Sequence, residues 1–202
     1  MSENTKNILK IDRSQASILR LVLDDPNNKN SLSKDMMKQL KKCLIKASSD
    51  NSVRVIIISA VGDIFSSGHN LKDITKARKN EDEGKAYFLD LFNLCSSLMQ
   101  MIVNCSKPVI AEVNGIATAA GCQLVASCDL AIASDSSKFA TPGVNIGLFC
   151  STPMVALSRN VSRKNTMKML LTGDMIDAAE AKRISLINDH VPEENLDDAV
   201  MS

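Results

Sequence analysis

The feature that most constrains the fold of this chain is the alternation of short β-branched runs with helical segments. Residues 17–23 and 53–60 have the length and composition of buried strands. Between them, Ser33 is a suitable N-cap for a helix with Met36 and Leu40 on its apolar face. Strands that alternate with helices predict an α/β protein whose parallel sheet is covered by helices.

The same alternation continues along the chain. It predicts further strands at 109–113, 130–133 and 138–141, and helices at 87–102, 119–127, 166–171 and 178–184. The charged stretch 76–85 contains few apolar residues and is interpreted as a mobile surface segment. Because 45% of the 202 residues are hydrophobic, the chain can bury one sizeable core, and we expect a single domain over 1–202.

Charge and composition argue against several classes of function. Lys and Arg total 24 against 23 Asp and Glu, so the chain offers no field for nucleic-acid phosphates or an acidic membrane. No window approaches the roughly 20 apolar residues of a membrane span. The first residues resemble neither a signal nor a transit peptide, which predicts a cytoplasmic location. Six cysteines and two histidines form no zinc-site pattern, so we expect reduced thiols and no metal.

Two glycine-containing segments follow predicted strands directly. They are FSSGHNLK at 65–72 and NGIATAAGCQ at 114–123. Both lie at the carboxyl end of a predicted parallel strand, where α/β proteins bind ligands. The second also opens a helix, whose N-terminus favours negative charge. Neither segment is a dinucleotide-binding or P-loop motif, so ordinary strand-to-helix turns remain the alternative.

These two segments, the turn at 25–32, KFATPGVNIGLF and MLLTGDMIDAAEAKRISLINDHVP resemble the crotonase, or enoyl-CoA hydratase/isomerase, superfamily. The resemblance covers nearly the whole chain and implies a spiral of ββα units that binds an acyl-CoA thioester as substrate or ligand, without a separate cofactor. It implies backbone N–H donors to the thioester oxygen at His69 and Ala120, with a side-chain role for His69 as the alternative. Such a donor typically stabilises the transition state by roughly 2.7–4 kcal/mol.

The resemblance also implies which residues contact the CoA ester. Matched by motif, these positions are Asn27, Lys29, Ser67, Asn70, Leu71, Lys72, Ala119, Gly121 and Pro142.

The chain departs from the superfamily at the two glutamates with which hydratases move the protons of a water. Gln123 and Gly143 stand at those positions. Glutamine cannot take the proton of a water, and each lost acid–base group typically costs roughly 10²–10⁴-fold in rate. Three functions therefore remain open: a fatty-acid-metabolism enzyme that stabilises a thioester enolate, a decarboxylase of malonyl-type thioesters, and a catalytically silent acyl-CoA-binding or regulatory protein.

Assembly and location are further expectations from the resemblance. Members of the superfamily continue after the segment LINDHVP, so we expect this chain to lack their C-terminal helical part. A homotrimer or hexamer is expected if that part is supplied, with neither nucleic acid nor membrane as a partner. The mitochondrial matrix is the alternative location.

Overall fold

The structure, a computed structural model, describes residues 7–202. The longer strands contain the β-branched and aliphatic runs predicted from the sequence, and Ile18–Leu23 and Val109–Val113 alternate buried and half-buried side chains. The strands are β1 Leu9–Asp12, β2 Ile18–Leu23, β3 Val55–Ala60, β4 Val109–Val113, β5 Ile116–Thr118, β6 Leu130–Ser134, β7 Lys138–Ala140, β8 Ile176–Asp177 and β9 Asp189–Val191.

Helices connect the parallel strands and cover the sheet. Ser33 Oγ accepts a hydrogen bond from the Met36 N–H at 3.2 Å, which caps the first helix as predicted. Gly173, at φ +67°, ends the sixth. The helices are α1 Lys34–Ser49, α2 Leu71–Ala77, α3 Lys85–Val103, α4 Ala120–Ser127, α5 Ser151–Asn160, α6 Arg163–Thr172, α7 Ala178–Arg183 and α8 Leu196–Met201.

The strands form two sheets. The larger has the order β1-β2-β3-β4-β6-β9, and within it only the pair β1–β2 is antiparallel. The smaller has the order β5-β7-β8. Because β3 and β4 are adjacent and parallel, their carboxyl ends meet at one edge, and both glycine-containing segments begin there. The predicted α/β class is confirmed.

Apolar side chains cover both faces of the larger sheet. One face and α1, α3 and α4 enclose the main core, which extends to α5–α7. On the other face, Leu196 and Val200 of α8 pack on Ile57. Arg20 pairs with Glu112 on this face and with Asp197 of α8, so an ion-pair network joins the last helix to the sheet.

Several expectations need correction. Residues 71–77 form α2 and the following turns are hydrogen-bonded, so the charged stretch 76–85 has regular structure in part. Helix α3 is long and apolar enough, by length and composition alone, to cross a membrane, contrary to the sequence expectation. In this structure it packs on α1 and α4, through Leu91, Cys95, Leu98, Met99 and Ile102. Helix α5 and the short strands β1, β5, β8 and β9 were not predicted.

Candidate functional site

The two glycine-containing segments lie side by side at the carboxyl edge of the larger sheet. The Ser66 N–H donates to the Ile116 carbonyl at 3.1 Å, and the Ser66 carbonyl accepts from the Thr118 N–H at 2.9 Å. A Cβ placed on Gly68 would lie 2.9 Å from the Ala120 nitrogen. Glycine at 68, where φ is +85°, therefore lets the first segment approach the start of α4.

This approach brings together two backbone N–H groups that have no protein acceptor. The N–H groups of residues 66–68 all donate to protein oxygens, at 3.1–3.3 Å. Among the hydrogen bonds of residues 7–202, none has the His69 or the Ala120 N–H as its donor. Both N–H groups are therefore available to an external acceptor, and the N-terminus of α4 adds a favourable field for negative charge near Ala120.

The backbone at Ala119 is strained, with φ 51° and ψ −119°. A non-glycine residue in such a region costs on the order of 1–3 kcal/mol, so its surroundings must hold it. Its N–H donates to the Ala140 carbonyl at 2.9 Å. One residue after Ala120, a Cβ on Gly121 would lie 2.2 Å from the Ser66 carbonyl oxygen. Close packing on both sides thus fixes the direction of the Ala120 N–H.

The two ring nitrogens of His69 have different surroundings. Its Nδ1 lies 3.2 Å from the Leu32 carbonyl oxygen, which can only accept, so Nδ1 carries a proton. The Nε2 atom is buried without a hydrogen-bond partner, and the ring meets Phe92 edge-on at 5.7 Å. Burial lowers the pKa of His69, against a smaller raising effect of the Leu32 contact.

Gln123 and Gly143 are the positions that the resemblance matches to the hydratase glutamates, and neither residue is a proton-transfer group. Gln123 is 5% exposed, and its Oε1 is buried without a partner. It lines a cavity of about 670 Å³ between α3, α4 and α5. A Cβ on Gly143 would lie 2.4 Å from the Leu148 carbonyl oxygen and 2.7 Å from Cys150 Sγ. Position 143 therefore has no room for a side chain unless residues 147–150 move.

Six of the predicted CoA-contact positions come from segments that meet near this edge. The Lys29 carbonyl accepts from the Ser67 N–H at 3.1 Å, which joins the turn at 25–30 to the first donor segment. Asn70 caps α2, because its Oδ1 accepts from the Lys72 N–H at 3.0 Å. The side chains that extend into solvent are those of Asn27, Lys29, Leu71 and Lys72.

The remaining three positions have backbone rather than side-chain roles in the fold. Ala119 and Gly121 flank the Ala120 donor, next to the strained backbone. Pro142 opens a 3-10 turn, Pro142–Ile146, that lies against the end of α6, where a Cβ on Gly173 would be 3.2 Å from the Pro142 Cα. Within the part of the chain that the structure describes, no hydrogen bond joins Pro142 to the donor segments.

Two residues of this region were not singled out from the sequence. Asn30 is fully buried, and its amide accepts from the Asp25 N–H and donates to the Val61 and Ile64 carbonyls at 2.7–2.9 Å. It thereby fixes the turn that carries Lys29. Ser66 joins both donor segments. For Asn30 the sequence signal was an asparagine shortly after Pro26, a residue type that often fixes turns through its side-chain amide. For Ser66 the sequence contains no such signal.

Comparison with known proteins identifies the group to which this fold and site belong. Residues 13–202 match the family model described as enoyl-CoA hydratase/isomerase. The chain belongs to the enoyl-CoA hydratase/isomerase family. The resemblance inferred from the motifs and the crotonase-type fold are thereby confirmed.

Within this family, the chain is similar to vertebrate proteins named "enoyl-CoA hydratase domain-containing protein 3, mitochondrial". It is 52% identical over 188 residues to that of Xenopus laevis and 50% identical over 189 residues to that of Homo sapiens. These alignments cover 93% and 94% of this chain. The chain spans only 62% and 61% of those relatives' length.

Solved structures of the enoyl-CoA hydratase/isomerase family superpose on the fold. The crystal structure of human enoyl-CoA hydratase domain-containing protein 3 aligns with a TM-score of 0.89 at 49% identity, covering 96% of this chain and 75% of that one. An enoyl-CoA hydratase structure from Mycobacterium smegmatis aligns with a TM-score of 0.90 at 43% identity, covering 97% and 74%.

Proposed function

We propose that the chain binds an acyl-CoA thioester and stabilises the enolate of its acyl group with the backbone N–H groups of His69 and Ala120. The observation that carries the proposal is the approach of two unpaired N–H groups from adjacent segments, with the Gly68 Cβ position 2.9 Å from the Ala120 nitrogen. An enolate places negative charge on the former carbonyl oxygen. Donors fixed in advance by the fold stabilise that charge without reorganisation.

The CoA part is proposed to lie along the exposed side chains of the same edge. Lys29 and Lys72 are both exposed and form no ion pair within residues 7–202, so each offers a point charge to a phosphate. Asn27 and Leu71 contribute polar and apolar contacts beside them. The backbone of Ser67, Asn70, Ala119, Gly121 and Pro142 completes the proposed contact set.

The proposed chemistry does not include efficient hydration. Water addition needs groups that take and deliver protons, and neither Gln123 nor Gly143 supplies one. A malonyl-type thioester would bring its own leaving group, because breaking the bond to CO₂ passes its electron pair to the enolate without a base. Silent binding of acyl-CoA is the second candidate, favoured by the absence of a carboxyl group at both positions.

The names of the vertebrate relatives support a mitochondrial setting for this chain, and the family's chemistry supports a role in fatty-acid metabolism. We propose both, together with assembly into a homo-oligomer. The sequence prediction of a cytoplasmic location remains the alternative.

Titration with a matched pair of ligands tests the proposal. The first ligand is a short acyl-CoA thioester; the second is the corresponding S-alkyl-CoA thioether, which lacks the carbonyl oxygen. We expect the thioester to bind more tightly, with hydration of a short enoyl-CoA far below that of an ordinary hydratase. A screen with malonyl-type thioesters then separates decarboxylation from silent binding. Equal affinity for the two ligands, or hydratase activity at an ordinary level, would contradict the proposal.

A further inference from the structure

Ser66 lies at the contact between the two donor segments. It is fully buried, and its backbone N–H and carbonyl bond Ile116 and Thr118 at 3.1 and 2.9 Å. These bonds form an isolated parallel bridge between Ser66 and Ala117. Ser66 therefore aligns the first donor segment on the second, together with the Asp63 carbonyl, which accepts from the Ile116 N–H at 3.2 Å.

The Ser66 hydroxyl determines which N–H of the first segment is free. Its Oγ accepts from the Gly68 N–H at 3.3 Å, while the Ser67 N–H donates to the Lys29 carbonyl at 3.1 Å. His69 then carries the first unpaired N–H after the bridge. If Oγ were absent, the buried Gly68 N–H would have no acceptor, and a buried N–H strongly favours finding one.

Ser66 is also packed against the second donor segment. A Cβ on Gly121 would lie 2.2 Å from the Ser66 carbonyl oxygen and 2.8 Å from the Ser66 Cβ. Any displacement of Ser66 therefore moves the first turn of α4, in which Ala120 lies. One buried serine fixes both N–H groups relative to each other.

From these contacts we propose that Ser66 is a positioning residue for thioester recognition: its hydroxyl occupies the Gly68 N–H, so that His69 is the one residue of the first segment whose N–H joins that of Ala120 at the carbonyl oxygen. The inference rests on the proposed function. It predicts that loss of the hydroxyl weakens recognition of the carbonyl oxygen and leaves recognition of the CoA part unchanged.

Ser66→Ala and Ser66→Cys test this role against simple packing. Alanine removes the acceptor and some volume, whereas cysteine keeps the volume but sulfur accepts weakly. The readout is the ratio of thioether to thioester dissociation constants in the full chain. We expect the ratio to fall about two- to tenfold in both variants, the loss of one neutral hydrogen bond. The thioether dissociation constant should stay as in the parent.

A spectroscopic measurement and a matched control complete the test. The carbonyl stretch of a ¹³C-labelled thioester should shift less on binding to either variant than on binding to the parent. Ser134→Ala is the control, because Ser134 is equally buried and hydrogen-bonded to Ser137 at 2.8 Å, and it lies in β6 outside the donor segments. It should retain the parent ratio.

The outcomes separate the inference from the function on which it rests. If the parent itself shows no preference for the thioester, the proposed function fails. If the parent prefers the thioester and Ser66→Cys matches it, the role of the hydroxyl is refuted, and the residue acts only by its volume. Should Ser66→Ala fail to fold, the cysteine variant alone decides.

Discussion

Position 143 is a glycine, and the packing around it also leaves no room for the side chain of a glutamate. A Cβ there would lie 2.4 Å from a backbone oxygen, so the loop after the 3-10 turn has to move to admit any side chain. We expect Gly143→Glu, alone or with Gln123→Glu, to lower the free energy of unfolding by about 1–3 kcal/mol or more and not to restore hydration. Urea unfolding and an enoyl-CoA hydration assay measure both effects.

Gly147 provides the matched control for that substitution. It lies four residues later, at φ +75°, with open space around its Cβ position. Asparagine tolerates this conformation, so Gly147→Asn should cost much less than Gly143→Glu. A double variant at 123 and 143 that hydrates efficiently would show that the loop moves easily and that packing does not exclude an acid at position 143.

The lowered pKa of His69 predicts how the free energy of unfolding changes with pH. Because the pKa of His69 is lower in the folded protein than its ordinary value of 6.5, the unfolded chain binds more protons just below that pH. The free energy of unfolding therefore falls as pH decreases from 7 through this window. His69→Asn keeps an amide donor for the Leu32 carbonyl but does not titrate. We expect the stability of the parent relative to this variant to be smaller at pH 5 than at pH 7.

Urea titrations of both proteins at the two pH values measure this difference, since other titrating groups contribute equally to each. A difference that is independent of pH would show that the pKa of His69 is the same in the folded and the unfolded chain. His69→Asn should also retain the preference for the thioester over the thioether, because the proposed donor is the backbone N–H.

The sequence names positions for the site but does not contain its geometry. The resemblance predicts donors at His69 and Ala120, but which N–H groups are left unpaired depends on acceptors from other segments, such as the Lys29 carbonyl, which accepts from the Ser67 N–H. The exclusion of a side chain at Gly143 likewise depends on Leu148 and Cys150. Contacts between distant segments are not encoded in any local pattern.

At the scale of elements, the attachment of α8 to the sheet depends on Arg20. Its partner Glu112 is largely buried, and burial raises the pKa of that carboxyl against the lowering effect of Arg20. Arg20→Met leaves this carboxylate without its cation, so we expect a loss of about 3 kcal/mol at pH 7. The loss should shrink as pH approaches 4.5, because the folded variant takes up a proton on Glu112 before the unfolded chain does.

Asp197→Asn is the control for the same network. Asp197 is 61% exposed, and pairs of this kind contribute about 0–1 kcal/mol. Chemical unfolding of the three proteins at pH 7 and pH 4.5 compares them. If Arg20→Met and Asp197→Asn lose the same stability, with the same pH dependence, the buried pair with Glu112 has no special role.

Helices and strands could be predicted where the local sequence contains a clear apolar period or a capping residue. Strands β2, β3 and β4 and helices α1 and α3 were found to within about two residues, because each has a strong apolar period or a capping residue. Helix α5 was missed because Pro153 and the polar residues around it obscure the helical period. Strands β5 and β8 have three and two residues, so their pairing with β7 rather than their composition defines them.

At the scale of the whole molecule, exposed apolar side chains favour association. The turn after Pro142 presents Ile146 and Leu148, which are 68% and 58% exposed, beside the half-exposed Phe149. Clusters of this kind usually bind a partner. We expect the chain to self-associate, and we expect Ile146→Ser with Leu148→Ser to reduce this association.

Sedimentation velocity at several concentrations measures the association. Ile45→Ser is the control, because Ile45 is 57% exposed on α1 and lies outside this turn. A chain that sediments as a single species independent of concentration, with or without the double substitution, would show that the turn is not an association surface.

The proposed use of backbone N–H groups as donors has a consequence for how this protein tolerates substitution. An alanine scan would pass over the proposed donors, because every residue except proline supplies the same N–H and position 120 is already alanine. Sensitivity should instead concentrate at Gly68, Gly121 and Ser66, none of which supplies a proposed donor. Position 120 is nevertheless restricted to small side chains, because Ala120 is 2% exposed and belongs to the core. In a full mutational scan, the substitutions that reduce binding should therefore cluster at the residues that surround the proposed donors rather than at the donors themselves.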